Sequence, residues 1–182
     1  MPLLKDDYVK TEKMNGIIYN MSPSGSFAHG RINGNIYGYF FNQLKRSVCA
    51  VTLENCDLYF SEDEYVIPDV MLICDRKQIK KNGYHGVPRF IAETLSPATA
   101  LKDKTVKKEK YEAIGVDEYW IIEPLGRSIE IYYLEDGAYK LVASYILEDD
   151  EKDEDYNAET VLTLKAMPNV SIQLQEIFEN IE

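Results

Sequence analysis

The spacing of apolar and polar positions changes several times along this chain, and each change marks an element. Between residues 26 and 46, Ile32, Ile36, Tyr39, Phe40 and Leu44 recur at near-helical spacing, which predicts a helix. Ser24 or Ser26 would cap it. Ahead of it, GIIYNMSPS reads as an edge strand running into a Ser/Pro turn. Gly30, Gly34 and Gly38 recur every four residues, so they line one side of the helix and would permit close packing there. From residue 47 the pattern becomes that of strands: SVCAVTL, then EYVIPDVMLIC, apolar on both sides of Pro68-Asp69, then VPRFIAETL, ended by Ser96-Pro97. A basic, glycine-containing loop, RKQIKKNGYHG, separates the second and third. Residues 99–114 return to helical character and stop at Gly115. DEYWIIEP, SIEIYYLE and AYKLVASYIL then alternate as strands, with Asp136-Gly137 as a hairpin turn between the last two. The chain closes with VLTLKAMPNVSIQLQEIFENI, a strand followed by a short amphipathic helix. Helix, strands, helix, strands is the order of an α+β or mixed α/β domain, with a central sheet flanked by two main helices.

Composition narrows the class. A chain of 182 residues, 45% apolar and 12% aromatic, fits one globular domain over 1–182. Fourteen Tyr, six Phe and one Trp argue against disorder. No stretch approaches the ~20 apolar residues of a membrane span. The opening MPLLKDDYVK lacks the apolar core of a signal peptide. Cys49, Cys56 and Cys74 are too few and too irregular for a disulfide frame or a zinc site, and read as packing residues of a reducing, cytoplasmic protein. The net charge of −11 is unevenly spread: residues 1–90 sum to +1 and residues 91–182 to −12. Half of that −12 comes from EDDEKDED at 148–155, which reads as a solvated loop or insertion. The acidic balance argues against strong non-specific nucleic-acid binding.

The candidate chemistry lies in acids that interrupt apolar strands. Asp69 sits in YVIPDVMLI and Glu93 in RFIAETLS. A carboxylate there is costly unless paired, hydrogen-bonded or metal-bound, and if the two strands are neighbours the acids converge. Two such oxygen ligands suit Mg²⁺; the plain alternative is that each faces solvent. On the following helix Asp103 and Lys107 stand four residues apart with Tyr111 a turn further on, sharing one face. That face is either an ordinary solvated one or one that holds a Lys over a metal-bound phosphate or water. His29 opens the first helix and could contact a phosphate or tune a metal-bound water, although a lone histidine is more often structural. His85 lies in the basic loop and reads as incidental.

Taken in order, PDVMLICD and then VPRFIAETLSPATALKDKTVKKEKYEAIGVDEYWIIEP resemble the Uma-type family of restriction endonucleases, within the PD-(D/E)XK nuclease superfamily. The matching features are Pro68-Asp69-Val70, Glu93 through Thr99, Asp103, Lys107, Tyr111 and Gly115-Val116-Asp117-Glu118-Tyr119-Trp120, with Met21-Ser22-Pro23 and His29 upstream. The similarity covers roughly residues 15–145 and the final strand and helix. It implies a restriction-endonuclease-like core and a Mg²⁺-dependent (or Mn²⁺-dependent) endonuclease acting on DNA. Asp69 and Glu93 would be the metal ligands, with the Thr94 carbonyl a third. The Lys that the parent motif carries two residues after the Glu is Leu95 here, so Lys107 would take that role, with His29 and Asp103 as further site residues. Superfamily members often dimerise to cut two strands, so a homodimer is expected. Departures are Glu123-Pro124 for the usual Asp-Pro, Ala98 for a Ser, and a weakly matched N-terminal segment. The competing expectations are a catalytically inactive nuclease-fold protein that binds nucleic acid or a protein partner, and a structural or regulatory protein without nucleic acid. The retained Asp69, Glu93 and Lys107 favour the enzyme, and the acidic net charge favours the others.

Overall fold

Three adjacent strands with no polar face organise this fold, which was obtained as a computed structural model describing residues 10–21 and 25–182. In chain order the strands are β1 (Thr11–Met14), β2 (Ile17–Asn20), β3 (Ala50–Leu53), β4 (Leu58–Tyr59), β5 (Tyr65–Val66), β6 (Val70–Ile73), β7 (Ile79–Lys80), β8 (Gly83–Tyr84), β9 (Phe90–Thr94), β10 (Glu118–Glu123), β11 (Ser128–Glu135), β12 (Ala138–Ile146), β13 (Val161–Leu164) and β14 (Met167–Gln173). The main sheet has the order β12-β11-β10-β9-β6-β3, mixed in direction. Its centre, β6, β9 and β10, is buried on both faces, so β10, read from the sequence as alternating, is instead enclosed on both sides. β9 and β10 run parallel, and the helical segment 100–114 makes the crossover between them.

Each face has its own cover. Helix α1 (Phe27–Gln43) packs Ile32, Ile36 and Phe40 against Val70, Leu72, Phe90, Ala92, Trp120 and Ile122. Phe40 meets Phe90 and Trp120 edge-on, at ring separations of 5.5 and 6.2 Å. The β13–β14 hairpin and the turn Leu174–Ile177 extend the same core. Met71, Ile91, Tyr119 and Ile121 point the other way, towards Tyr111 of the second helix and towards Met14, Leu58, Val66 and Tyr84. Those last four belong to a second sheet of short strands, β2-β1-β5-β4-β8-β7.

The mixed α/β architecture, central sheet and two main helices agree with the sequence reading. Of the second sheet that reading contains only the edge strand β2, in GIIYNMSPS, because the two-residue strands β4, β5, β7 and β8 carry no period. The loop 76–86 contains β7 and β8, and the last segment folds as two strands, not one. Ser26 caps α1, its Oγ accepting from the His29 N–H at 3.2 Å; Ser24, Ser22 and Pro23 lie outside the described residues. The three helix glycines need correction: a Cβ at Gly30, Gly34 or Gly38 would meet nothing within 4 Å among the described residues, so no close packing there requires them. Two cysteines also need correction. Ala50 faces Ile73 across β3 and β6, so the next pair outward is Cys49 and Cys74, with Cα atoms 4.0 Å apart and the sulfurs bonded as a disulfide. Cys56 is free. The acidic run leaves residues 149–155 exposed, as expected of a solvated loop, with Arg127 forked onto Asp149 at 2.6 and 3.1 Å.

Candidate metal centre

Strand register brings the two strand acids together. Val70 faces Ala92 in the antiparallel β6–β9 pair, so continuing one step outward sets Asp69 beside Glu93. Both then project to the face covered by the second helix. Pro68 has no N–H for the ladder, so β6 begins after Asp69 and the carboxylate is left at the strand's mouth. Asp69 Oδ2 accepts from the Thr94 N–H at 2.8 Å and lies 3.1 Å from His29 Nε2.

The second helix supplies the cation. It runs as Ala100–Lys102, then a wider π-turn over Asp103–Lys107, then Lys108–Ile114, with left-handed Gly115 (φ 89°) closing it. The buried residues of the π-turn are Asp103 and Lys107. Lys107 Nζ sits 2.9 Å from Glu93 Oε1, 3.0 Å from Glu12 Oε1 and 3.4 Å from Asp103 Oδ1. Burial would discharge this lysine, but Glu93, Asp103 and Glu12 outweigh it and push its pKa well above the usual lysine value. It is therefore an ammonium. Tyr111 donates its hydroxyl to the same Glu93 Oε1 at 2.6 Å. Glu93 is itself pushed well up, by burial first and then by Asp69, Asp103 and Glu12, with Lys107 opposing. Burial also raises Asp103, against the pull of Lys107.

Helix α1 closes the open side. Asn33, buried on α1, donates from Nδ2 to Glu54 Oε1 at 2.7 Å, lies 3.2 Å from His29 Nδ1, and accepts from Thr94 Oγ1 at 2.6 Å. With Nδ1 accepting, this network assigns the His29 ring proton to Nε2, facing Asp69. Burial lowers the His29 pKa, but the hydrogen bond to Asp69 and the charges of Asp69, Glu54 and Asp103 leave it raised.

The group holds too little positive charge. Glu12, Asp69, Glu93 and Asp103 are all buried carboxyls, against the ammoniums of Lys107 and Lys102. Among the described residues Asp103 Oδ1 has no hydrogen-bond donor: Lys107 is near enough to attract it but not aligned. An orphaned buried oxygen within a surplus of acids fits a divalent cation. Two donor sets share Asp69. One is Asp69 with Glu93 across the strand pair. The other is His29, Glu54 and Asp69, whose ligand atoms lie within 4.8 Å of one another. A cavity of about 700 Å³ lies at the opposite end of the sheet, around Cys74, Tyr84, His85, Arg89 and Asp117. It contains none of these acids, so the chemistry and not the volume locates the site.

The structure gathers Asp69, Glu93, Thr94, Asp103, Lys107 and His29, the candidates named from the sequence, into one neighbourhood. Leu95, in the slot of the parent lysine, is buried and apolar. Sequence reasoning missed Glu12, Asn33 and Glu54. Glu54 follows directly on SVCAVTL and Asn33 lies on the buried face of α1, so a polar residue in an apolar frame was the available signal for Asn33. Glu12 carried none.

The model of the family Uma2, described as "Putative restriction endonuclease", matches residues 1–170. An uncharacterised protein of Synechocystis sp. is 28% identical over 140 residues, spanning 75% of this chain and 72% of that one. A solved structure described as a putative nuclease belonging to DUF820, from Anabaena variabilis, superposes with a TM-score of 0.69 at 17% identity, covering 94% of this chain and 91% of that one. The structural likeness extends the shared fold over nearly the whole chain.

Proposed function

The chain belongs to the Uma2 family, and on that premise we propose that it is a metal-dependent endonuclease hydrolysing the phosphodiester bonds of DNA, with Asp69 and Glu93 as the metal ligands. The observation that carries this reading is the pairing of these two buried acids with a charged Lys107 only 2.9 Å from Glu93. The Thr94 carbonyl is the proposed third ligand. Hard carboxylate oxygens suit Mg²⁺, and the adjacent imidazole of His29 makes Mn²⁺ equally acceptable. When bound, such a cation supplies Lewis-acid stabilisation of the phosphoryl oxygens and a lowered water pKa.

The chain's own groups divide the remaining work. Lys107 donates to a non-bridging oxygen of the scissile phosphate, where charge develops in the transition state. Asp103 and Glu93 keep that lysine protonated. His29 Nε2–H and the Thr94 N–H hold the Asp69 carboxylate in one orientation. Water attacks phosphorus and releases a proton to solvent, the bond to the departing oxygen breaks, and that oxygen takes a proton from solvent. The reading includes a homodimer, since one such site cuts one strand at a time. Edge strand β12 leaves Leu141, Val142 and Ile146 exposed for a second copy.

Supercoiled plasmid with Mg²⁺ or Mn²⁺ is the test. Wild type nicks or linearises it, chelation stops the reaction, and Lys107→Met slows it by about 10²–10³-fold, the usual effect of losing one transition-state donor. Intact plasmid and intact single-stranded DNA under both ions would overturn the reading. The net charge of −11 favours a second one, a nuclease-fold protein that binds nucleic acid or a protein partner without cutting. In that case a DNA mobility shift that weakens steeply with salt, without cleavage, would identify nucleic acid as the partner.

A further inference from the structure

Glu12 belongs to neither donor set, yet it is completely buried. It sits on β1 of the second sheet, directly across from Tyr19 of β2. An unexposed carboxylate is expensive unless every lone pair has a partner. Here each oxygen has one. Oε1 lies 3.0 Å from Lys107 Nζ and also accepts the Ile67 N–H at 3.1 Å. Oε2 accepts from Lys102 Nζ, whose ammonium lies 5.3 Å above the Tyr19 ring. Burial pushes the Glu12 carboxyl up, but Lys107 and Lys102 together hold it below the usual range. One oxygen therefore touches both halves of the site. Lys107 is the cation beside Glu93, and Ile67 stands two residues before Asp69 on the segment that enters β6.

We infer that Glu12 is a positioning residue for Lys107 and for the Ile67-Pro68-Asp69 entry. This rests on the nuclease reading above and deepens it. A buried ammonium next to only Glu93 and Asp103 would collapse onto them and neutralise the acids that a divalent cation needs. A third carboxylate from the opposite sheet draws Lys107 away from that collapse, and three acids divide one positive charge. Lys102 cancels the charge that Glu12 brings, so the added carboxylate leaves the site's net charge unchanged. The outer sheet thereby contributes to the chemistry through one side chain, and β1 is more than a cover for the second helix.

The test compares wild type, Glu12→Gln and the double variant Glu12→Gln/Lys102→Met. Glu12→Gln keeps the shape but removes the charge that holds Lys107. The double variant also removes the ammonium left without a partner, and is the version to read if the single one does not fold. The readouts are plasmid-cleavage kinetics and the ¹H–¹⁵N signal of the Lys107 side-chain ammonium, which buried ion pairing protects from exchange. Both variants are expected to lower kcat by about 10–100-fold with KM unchanged, the scale seen when a partner orienting a site residue is removed. The Lys107 signal should shift or vanish, and Glu12→Asp should recover part of both. Folded variants with wild-type kcat and an unmoved Lys107 signal would overturn the inference. If wild type itself cuts no DNA, the nuclease reading fails separately, and the Lys107 signal alone decides: displaced in the variants it supports the positioning role, unmoved it refutes it.

Discussion

At Lys107 two large effects oppose each other, and the neighbouring carboxylates win. Desolvation alone would strip the proton, yet Glu93, Glu12 and Asp103 keep the side chain charged. Removing that ammonium leaves buried acids facing one another without their shared partner. Lys107→Met should therefore lower unfolding free energy by about 3–5 kcal/mol in urea denaturation, with part of the loss recovered on adding Mn²⁺. Recovery would be absent if the acids hold no cation. Residue by residue, the site was unevenly legible. Asp69 and Glu93 announce themselves because an acid inside an apolar strand needs a reason. Asp103 and Lys107 share a helical face by simple spacing. Glu12 sits in TEKM, whose alternation suits any exposed edge strand. Its burial comes from the pairing of β1 with β5 and from the helix above it, which are long-range facts that no local pattern carries.

The elements show the same division between local and long-range causes. The doubly buried β6 and β9 were legible because burial on both faces leaves no polar alternation, whereas β10 was legible as a strand but read as alternating. Helix α1 was legible from its period and its cap. Ser26→Ala removes the acceptor for the His29 N–H and should cost about 1 kcal/mol in thermal or urea unfolding. The π-turn over Asp103–Lys107 was not legible, since residues four apart share a face in an ordinary helix as well. The hairpin β13–β14 carries a separate pH dependence through Glu118 on β10. This buried carboxyl accepts from Trp120 Nε1 at 2.7 Å and from the Lys165 N–H at 2.8 Å, clipping the hairpin to the sheet. Burial pushes its pKa up to about 7. A raised carboxyl favours the folded state when protonated. Its contribution is fully present below the unfolded value near 4.5 and is lost as pH rises through about 7. The loss amounts to about 3 kcal/mol by the usual conversion of pKa shift to free energy. Glu118→Gln should flatten stability between those two pH values. At the low-pH end it should also destabilise by roughly 1–3 kcal/mol, because an amide offers one acceptor where two donors point, and that deficit should close as pH rises and wild type loses its own contribution. An unchanged slope in the variant would assign the pH dependence elsewhere.

Across the whole molecule, two sheets meet over one group of acids, and the strongly acidic second half of the chain carries an exposed run at 149–155. The mixed α/β core and its family were legible from ordered motifs spread along most of the chain. Beyond its edge strand β2, the second sheet was not, because β1 and β5 pair across a separation of 52 positions, as Lys13 does with Tyr65. The Cys49–Cys74 bond was missed for the same reason, since only the β3–β6 register brings those positions together. It closes a separation of 25 residues, so reduction should lower stability by about 3 kcal/mol while leaving the β3–β6 ladder to hold the strands. Thermal melts with and without dithiothreitol measure that difference, and equal melting temperatures would show that the bond constrains little. The most direct measurement of the central claim is calorimetric titration of Mn²⁺ and Mg²⁺ into wild type and into Asp69→Ala/Glu93→Ala. The account predicts saturable binding to wild type that the double variant loses while remaining folded. Equal binding to both proteins, or none to wild type even with a DNA oligonucleotide present, would contradict it.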